Sequence, residues 1–339
     1  MQKILLIQLR ELGDTILSTP VLRALRTLYP AAQIDALCQP TNACILKHHP
    51  VIANVHLLPR KISARDFAAL AVRLRRAGYD MIVDLQSLAK TAVLSYLSGA
   101  KRRLGFRRSW RSGFYTHPYT ETTVEYVVTS RLRLLQDERV QFDDTALDFY
   151  VGEQDRQLAA EFRQRWFRGP VAAFYGVREL EARRWPLENF AAIADRLAER
   201  GFQPYVVFGP GEEALAQKLG AAIRHPAIVN YTPLTLPALK ENLARCALMV
   251  TCDGGPKHVA VAAGIPTVTL YDSLKAIAWN PPHSPRQRVV TTAIPGLSAK
   301  MAAGIVGTIT PHAKIWDIPL EPVWHEVEQA LQLPTAAAA

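Results

Sequence analysis

Asp14 stands in a short turn, Leu12-Gly13-Asp14-Thr15, directly after the first apolar run of the chain. A carboxylate at the carboxyl end of a strand can serve as general base toward a hydroxyl. The same position suits a helix cap, or a first-turn acid that complements the helix dipole. A second cluster is Asp253-Gly254-Gly255-Pro256-Lys257-His258, followed by small residues through Pro266. It follows a predicted strand and opens a predicted helix. Proline suits the first helical position, and glycines let a ligand approach the backbone closely. The exposed amides then favour an anion such as a pyrophosphate. A glycine-rich turn without function fits the same letters.

Arg183-Arg184-Trp185-Pro186 places adjacent guanidinium groups at a helix entrance. They could clamp a diphosphate and stabilise it as a leaving group; a solvated charge pair is the alternative. Phe208-Gly209-Pro210-Gly211-Glu212-Glu213 is another strand, glycine turn and helix. Glu212 or Glu213 could accept hydrogen bonds from a ribose, or simply favour a helix N-terminus. Lys101, Arg102, Arg103, Arg107 and Arg108, with Trp110 and Arg111, form a basic run with no acid from Lys101 to His117. Charge runs are commonly solvated loops. The missing acids favour a site for a phosphorylated or carboxylated acceptor.

The elements that must position these residues alternate strand and helix. Lys3 to Leu9 reads as a strand, and Thr15 to Tyr29 as a helix with apolar residues at helical spacing. Strands follow at Ala32 to Cys38, Pro50 to Leu58 and Tyr79 to Leu85, with helices at Asp66 to Ala77 and Ala89 to Ser98. Gly169-Pro170 punctuates the chain after a charged helical stretch, and the rhythm restarts at Val171. The predicted domains are 1–168 and 169–318, then a closing helix over 319–333 and a frayed tail over 334–339. The segment Val289 to Ile318 shows no clear period. The fold class is α/β: two Rossmann-like halves that bind ligands at the carboxyl ends of their strands, across an interdomain cleft.

Composition narrows the partners. The chain has 339 residues, a net charge of +10 and 49% hydrophobic residues. The charge suits an anionic substrate, an anionic membrane surface or nucleic acid, and no nucleic-acid module signature is visible. No apolar run reaches the ~18–20 residues that span a bilayer, and no signal-peptide pattern is present. Four cysteines without C-x-x-C spacing suggest a reducing compartment. The expectation is a cytoplasmic protein without a metal site.

Taken together and in order, these motifs resemble glycosyltransferase family 9, the lipopolysaccharide heptosyltransferases. Lys3 to Pro20 is similar to that family's opening signature. Tyr79 to Gln86 and Gly99 to Phe106 are similar to its mid-domain pattern, and Arg183 to Pro186 and Leu236 to Tyr271 complete the likeness. The resemblance implies a GT-B fold, an ADP-heptose co-substrate, inversion at the anomeric carbon and no metal. It implies Asp14 as the base. Donor contacts would come from Arg183, Arg184, Glu212, Glu213, Asp253, Gly254, Gly255 and His258. Arg183 stands where relatives often have lysine, and Gly254 where they often have threonine. The implied acceptor is the anionic inner core of lipopolysaccharide, Kdo or heptose, reached by peripheral contact with the inner membrane. Open alternatives are a protein or other glycan acceptor, a nucleotide-sugar epimerase, or a non-catalytic sugar-binding relative.

Overall fold

The computed structural model describes residues 2–135, 144–176, 184–272 and 274–333. The chain divides into two compact units, Met1–Tyr150 and Val151–Ala339.

The first unit is built on a six-stranded parallel sheet of order β3-β2-β1-β4-β5-β6. Its strands are β1 (Lys3–Gln8), β2 (Gln33–Cys38), β3 (Ile52–Leu57), β4 (Met81–Asp84), β5 (Arg102–Phe106) and β6 (His117–Tyr119). β1, β2 and β4 are buried nearly throughout, as a parallel sheet covered on both faces requires. The helices of this unit are α1 (Leu12–Ile16), α2 (Thr19–Leu28), α3 (Ala43–Leu46), α4 (Ala64–Ala77), α5 (Ala89–Leu97) and α6 (Val127–Arg133). One core layer joins Leu70 and Leu74 of α4 to Leu5, Ile7, Leu37 and Ile82 of the sheet.

The helix predicted over Thr15 to Tyr29 is two helices. Ser18 Oγ donates to the Thr15 carbonyl at 2.6 Å and Thr19 Oγ1 to that of Ile16 at 2.8 Å. Pro20 lacks the N–H that would continue the ladder. The break leaves α1 as a single turn just after the carboxyl end of β1, with Asp14 on it.

The second unit repeats the plan with order β12-β11-β10-β9-β7-β8. Its strands are β7 (Val171–Tyr175), β8 (Gln203–Val206), β9 (Leu248–Cys252), β10 (Thr267–Tyr271), β11 (Gln287–Thr291) and β12 (Gly307–Ile309). Beyond β8 the sheet gains only an isolated parallel bridge, Ile228 to Tyr205. The helices are α7 (Glu153–Trp166), α8 (Leu187–Ala198), α9 (Glu213–Ala222), α10 (Leu236–Leu243), α11 (Gly255–Ala262), α12 (Lys275–Ala278), α13 (Ala299–Ala303) and α14 (Leu320–Leu331). The unit boundary falls earlier than Gly169 because α7 packs with the second unit. Phe162 of α7 meets Tyr205 at 5.7 Å and Tyr231 at 5.0 Å between ring centroids.

The aperiodic stretch Val289 to Ile318 supplies most of β11 and all of β12. β12 is the edge strand and β11 its neighbour, and α14 closes over both. Glu326 of α14 is buried between Arg288 at 2.5 Å and Thr308 at 2.7 Å. The predicted tail, 334–339, lies outside the described residues.

Candidate active site

The order of the first sheet reverses between β1 and β4, and such switch points open a crevice at the strands' carboxyl ends. Asp14 lies there. Its carboxylate does not cap α1, whose N-cap Glu11 also makes no side-chain cap. Instead Arg131 of α6 holds it: Nη2 donates to Asp14 Oδ1 at 2.5 Å and Nη1 to the Asp14 carbonyl at 2.7 Å. The Arg131 side chain is 3% exposed and that of Asp14 12%. Burial pulls the guanidinium below its ordinary range, and the Asp14 charge opposes that fall. The geometry is that of a carboxylate fixed in direction by a desolvated fork.

The turn itself is tied down by amides. Gln8 Nε2 donates to the Asp14 carbonyl at 2.9 Å. Asn42 Nδ2 donates to the Arg10 carbonyl at 2.6 Å and to Thr15 Oγ1 at 3.0 Å, and Gln39 Nε2 to the Leu9 carbonyl. Across the switch point, Gln86 Nε2 donates to Gln8 Oε1. The Gln86 turn hangs on buried Asp84, which accepts from the amides of Gln86 at 2.9 Å and Ser87 at 3.0 Å and from Tyr115 Oη at 2.7 Å. Burial raises the Asp84 carboxyl, and these donors offset part of that rise.

The basic run is divided by β5. Arg102 and Arg103 begin the strand, while Arg107 and Arg108 follow its end, roughly 15 Å further along. Only the latter pair share the sheet's carboxyl edge with Asp14. Arg102 donates to Tyr29 Oη at 3.0 Å, and Arg103 to the carbonyls of Phe114 at 2.8 Å and Ala100 at 2.6 Å. Arg107 donates to Thr120 Oγ1 at 3.1 Å, and Arg108 pairs with Glu121. Lys101 is exposed.

In the second unit the order reverses between β7 and β9, and the glycine motif follows β9 there. Tyr175 ends β7 and bridges the two neighbouring turns. Its hydroxyl donates to Glu212 Oε1 at 2.9 Å, while Glu212 Oε2 accepts from the Gly209 amide at 2.8 Å. A Cβ added at Gly254 would lie 3.2 Å from Tyr175 Cε1. The glycine thus answers to the tyrosine: the ring fills the space a side chain at 254 would need. Structure separates the two acids, since Glu213 is exposed on α9 and Glu212 is held in the cluster. Gly254→Thr is expected to lower the melting temperature as its side chain meets the Tyr175 ring, and Tyr175→Ala in the same chain to recover part of the loss.

Asp253, Gly254 and Gly255 lead into α11 with Pro256 near its start, so the amides of a helix N-terminus are aimed at the crevice. His258 is buried, its ring 6.1 Å from Trp279. Arg184 is half-buried beside Trp185, whose Nε1 donates to the Ile318 carbonyl at 2.8 Å. Arg183 lies outside the described residues.

Lys257 was not singled out by sequence, and neither were Arg131 and Tyr175. Lys257 is 1% exposed and donates to the Trp279 carbonyl at 2.7 Å. Burial pulls its ammonium from 10.5 down to about 7, against the opposing charge of Asp253. Between those two pH values the unfolded chain binds the proton and the folded chain does not, so stability rises with pH across the window. Below about 7 both states are protonated and the burial penalty is felt in full. Lys257→Met therefore raises the melting temperature by several degrees at pH 6.5, a gain that fades toward pH 10. An equal gain at both pH values would exclude titration of Lys257 as its cause.

No group of three or more His, Cys, Asp or Glu side chains is placed to hold a metal among the described residues. No described helix is long and apolar enough to cross a membrane.

The sequence model of glycosyltransferase family 9 (heptosyltransferase) matches residues 67–303. Lipopolysaccharide heptosyltransferase 3 of Escherichia coli is 27% identical over 289 residues, covering 79% of this chain and 83% of its own. A family 9 glycosyltransferase from Veillonella parvula superposes with a TM-score of 0.81 at 22% identity, over 98% of this chain and 97% of its own. An E. coli heptosyltransferase solved with ADP-2-deoxy-2-fluoro heptose superposes with a TM-score of 0.71 at 19% identity, over 97% and 99% of the two chains. The fold of these structures, GT-B, is the fold of this chain.

Proposed function

The chain belongs to glycosyltransferase family 9, and on that premise we propose that it transfers a heptose from ADP-heptose to the inner core of lipopolysaccharide, with inversion at the anomeric carbon. It is a glycosyltransferase; donor, acceptor and site roles are the proposal. The observation that carries it is the Asp14 carboxylate, gripped by a buried arginine at the switch point of the first sheet. The heptosyltransferase names of its relatives support the donor and acceptor classes.

In this reading Arg131 fixes Asp14 Oδ1, and Oδ2 faces the acceptor hydroxyl. That hydroxyl oxygen forms the new bond to the anomeric carbon while its proton passes to Oδ2. The bond from the anomeric carbon to the β-phosphate oxygen breaks, and its electron pair leaves with ADP. The amides at the start of α11, with Arg183 and Arg184, take up the charge that develops on the diphosphate. Glu212, braced by Tyr175 and the Gly209 amide, receives the ribose hydroxyls. Arg107 and Arg108 lie at the edge where an anionic Kdo or phosphorylated heptose would approach. The acceptor is carried by a lipid, so the enzyme works at the cytoplasmic face of the inner membrane.

Thermal unfolding with ADP, UDP, GDP and CMP, without added metal, tests the donor. Ligand at a hundred times its dissociation constant stabilises by about 2.7 kcal/mol. A rise in melting temperature with ADP alone is expected. A rise with UDP or GDP and none with ADP would reject the ADP-heptose donor.

A further inference from the structure

The 3₁₀ turn Ser109–Phe114 bears a surface that the transfer chemistry leaves unused. Trp110 is 65% exposed and Tyr96, near the end of α5, is 55% exposed. Phe114 joins them, with ring centroids 5.8 Å from Trp110 and 5.7 Å from Tyr96. Leu97 extends the patch. Ser109, just before Trp110, sits at φ 48, a left-handed conformation that costs a residue with a side chain about 1–2 kcal/mol. Strain of this kind persists where the surrounding structure enforces it.

Arg103 touches the aromatic cluster, and further cations stand close to it in sequence. Arg103 lies 5.7 Å from the Tyr96 ring centroid, and Arg108 lies 5.5 Å from that of Phe106. Lys101 and Arg107 are exposed, and Arg75 Nη1 donates to the Leu97 carbonyl at 3.4 Å. Glu121 offsets Arg108; no acid lies between Lys101 and Thr120.

We infer that this patch anchors the protein on an anionic lipid bilayer, with Trp110 seated among the headgroups. Exposed tryptophan beside arginine and lysine is the composition that favours a bilayer interface, where the ring is half apolar and half wet. Each nearby cation adds attraction to anionic lipid. The rings of Trp110 and Tyr96 each meet Phe114 in a T-shaped contact, at 74° and 75°, so the three form one exposed apolar cluster rather than scattered rings. The inference rests on the reading of a lipid-borne acceptor and names the surface that meets the lipid.

The full chain is sedimented with vesicles of phosphatidylcholine alone, and of equal parts phosphatidylcholine and phosphatidylglycerol. Binding to the anionic vesicles is expected, and it weakens as salt rises. Trp110→Ala is expected to lower that partition by about tenfold, and Trp110→Phe by much less. Unchanged partition of Trp110→Ala would overturn the anchor, as would equal binding to neutral vesicles. Competition by single-stranded nucleic acid with no vesicle binding would overturn it too. ADP calorimetry on the same preparation keeps the two readings apart. A chain that sediments with anionic lipid but ignores ADP retains the anchor and loses the transferase donor.

Discussion

Asp14→Asn lowers heptose transfer by a factor of about 10²–10⁴, the size expected when a positioned general base is lost. Affinity for ADP is expected to hold, because the residues proposed for the donor belong to the other sheet. The substitution has a second consequence that position in the sequence does not reveal. Arg131 is almost fully buried and Asp14 is its charge partner. Asparagine keeps an acceptor oxygen but removes the charge, so the guanidinium is left buried beside a neutral amide and two carbonyl-type acceptors. Breaking a buried pair costs about 3–5 kcal/mol; the Asp14 carbonyl, which still accepts from Nη1, should keep the loss toward the low end. The rate must therefore be measured where the variant is shown to be folded, by melting curve and by ADP binding. Near-normal transfer by a folded Asp14→Asn protein would remove Asp14 from the chemistry.

Arg131→Gln is the matching experiment from the other side. The carboxylate loses the fork that directs it, and α6 loses its tie to the turn above β1. Stability falls by about 3–5 kcal/mol as the carboxylate is left without its buried partner. Transfer falls even in the protein that remains folded, mainly through kcat, because the group at risk contacts no donor atom. Arg131→Lys keeps the charge but offers one point donor in place of two parallel N–H groups. It should recover more stability than rate. The double variant Asp14→Asn/Arg131→Gln closes a cycle, and its stability loss should be smaller than the sum of the two singles. Additive losses would mean that the 2.5 Å contact carries no coupling.

Much of the fold was legible because parallel sheets write themselves as continuous apolar runs. Lys3–Gln8, Gln33–Cys38 and Met81–Asp84 are strands buried nearly throughout, and the apolar runs at Lys3, Ala32 and Tyr79 mark them. What escaped notice was half-exposed or short. β12 lies at a sheet edge with little of it buried, and β6 has three residues. The units divide near residue 150 rather than 168, because the charged helix α7 belongs with the second. Only its Phe162 face, packed on Tyr205 and Tyr231, ties it to the second unit.

The site divides in the same way. Asp14, Glu212 and the Asp253–His258 motif follow strands at glycine turns, a local signal. Their partners do not. Arg131 lies 117 residues from Asp14, in a helix with another arginine two positions on, and nothing local marks it as the buried one. Tyr175 reads as the last residue of a strand; its bond to Glu212 and its contact with Gly254 depend on the register of β7 with β9 and β8. Lys257 does carry a local signal, since a lone lysine among small apolar residues on a helix packed against a sheet must either snorkel out or bury its charge. The Tyr175 ring lies against Gly254, 3.2 Å from where a Cβ there would stand.

Mass analysis of the reaction between this protein, ADP-heptose and a Kdo-bearing lipopolysaccharide inner core tests the central claim most directly. The predicted result is an acceptor heavier by one heptose, ADP released in equal amount, inverted configuration at the new linkage, and none of this product at comparable rate with Asp14→Asn. An acceptor left unmodified while ADP-heptose is consumed or epimerised without it would contradict the claim.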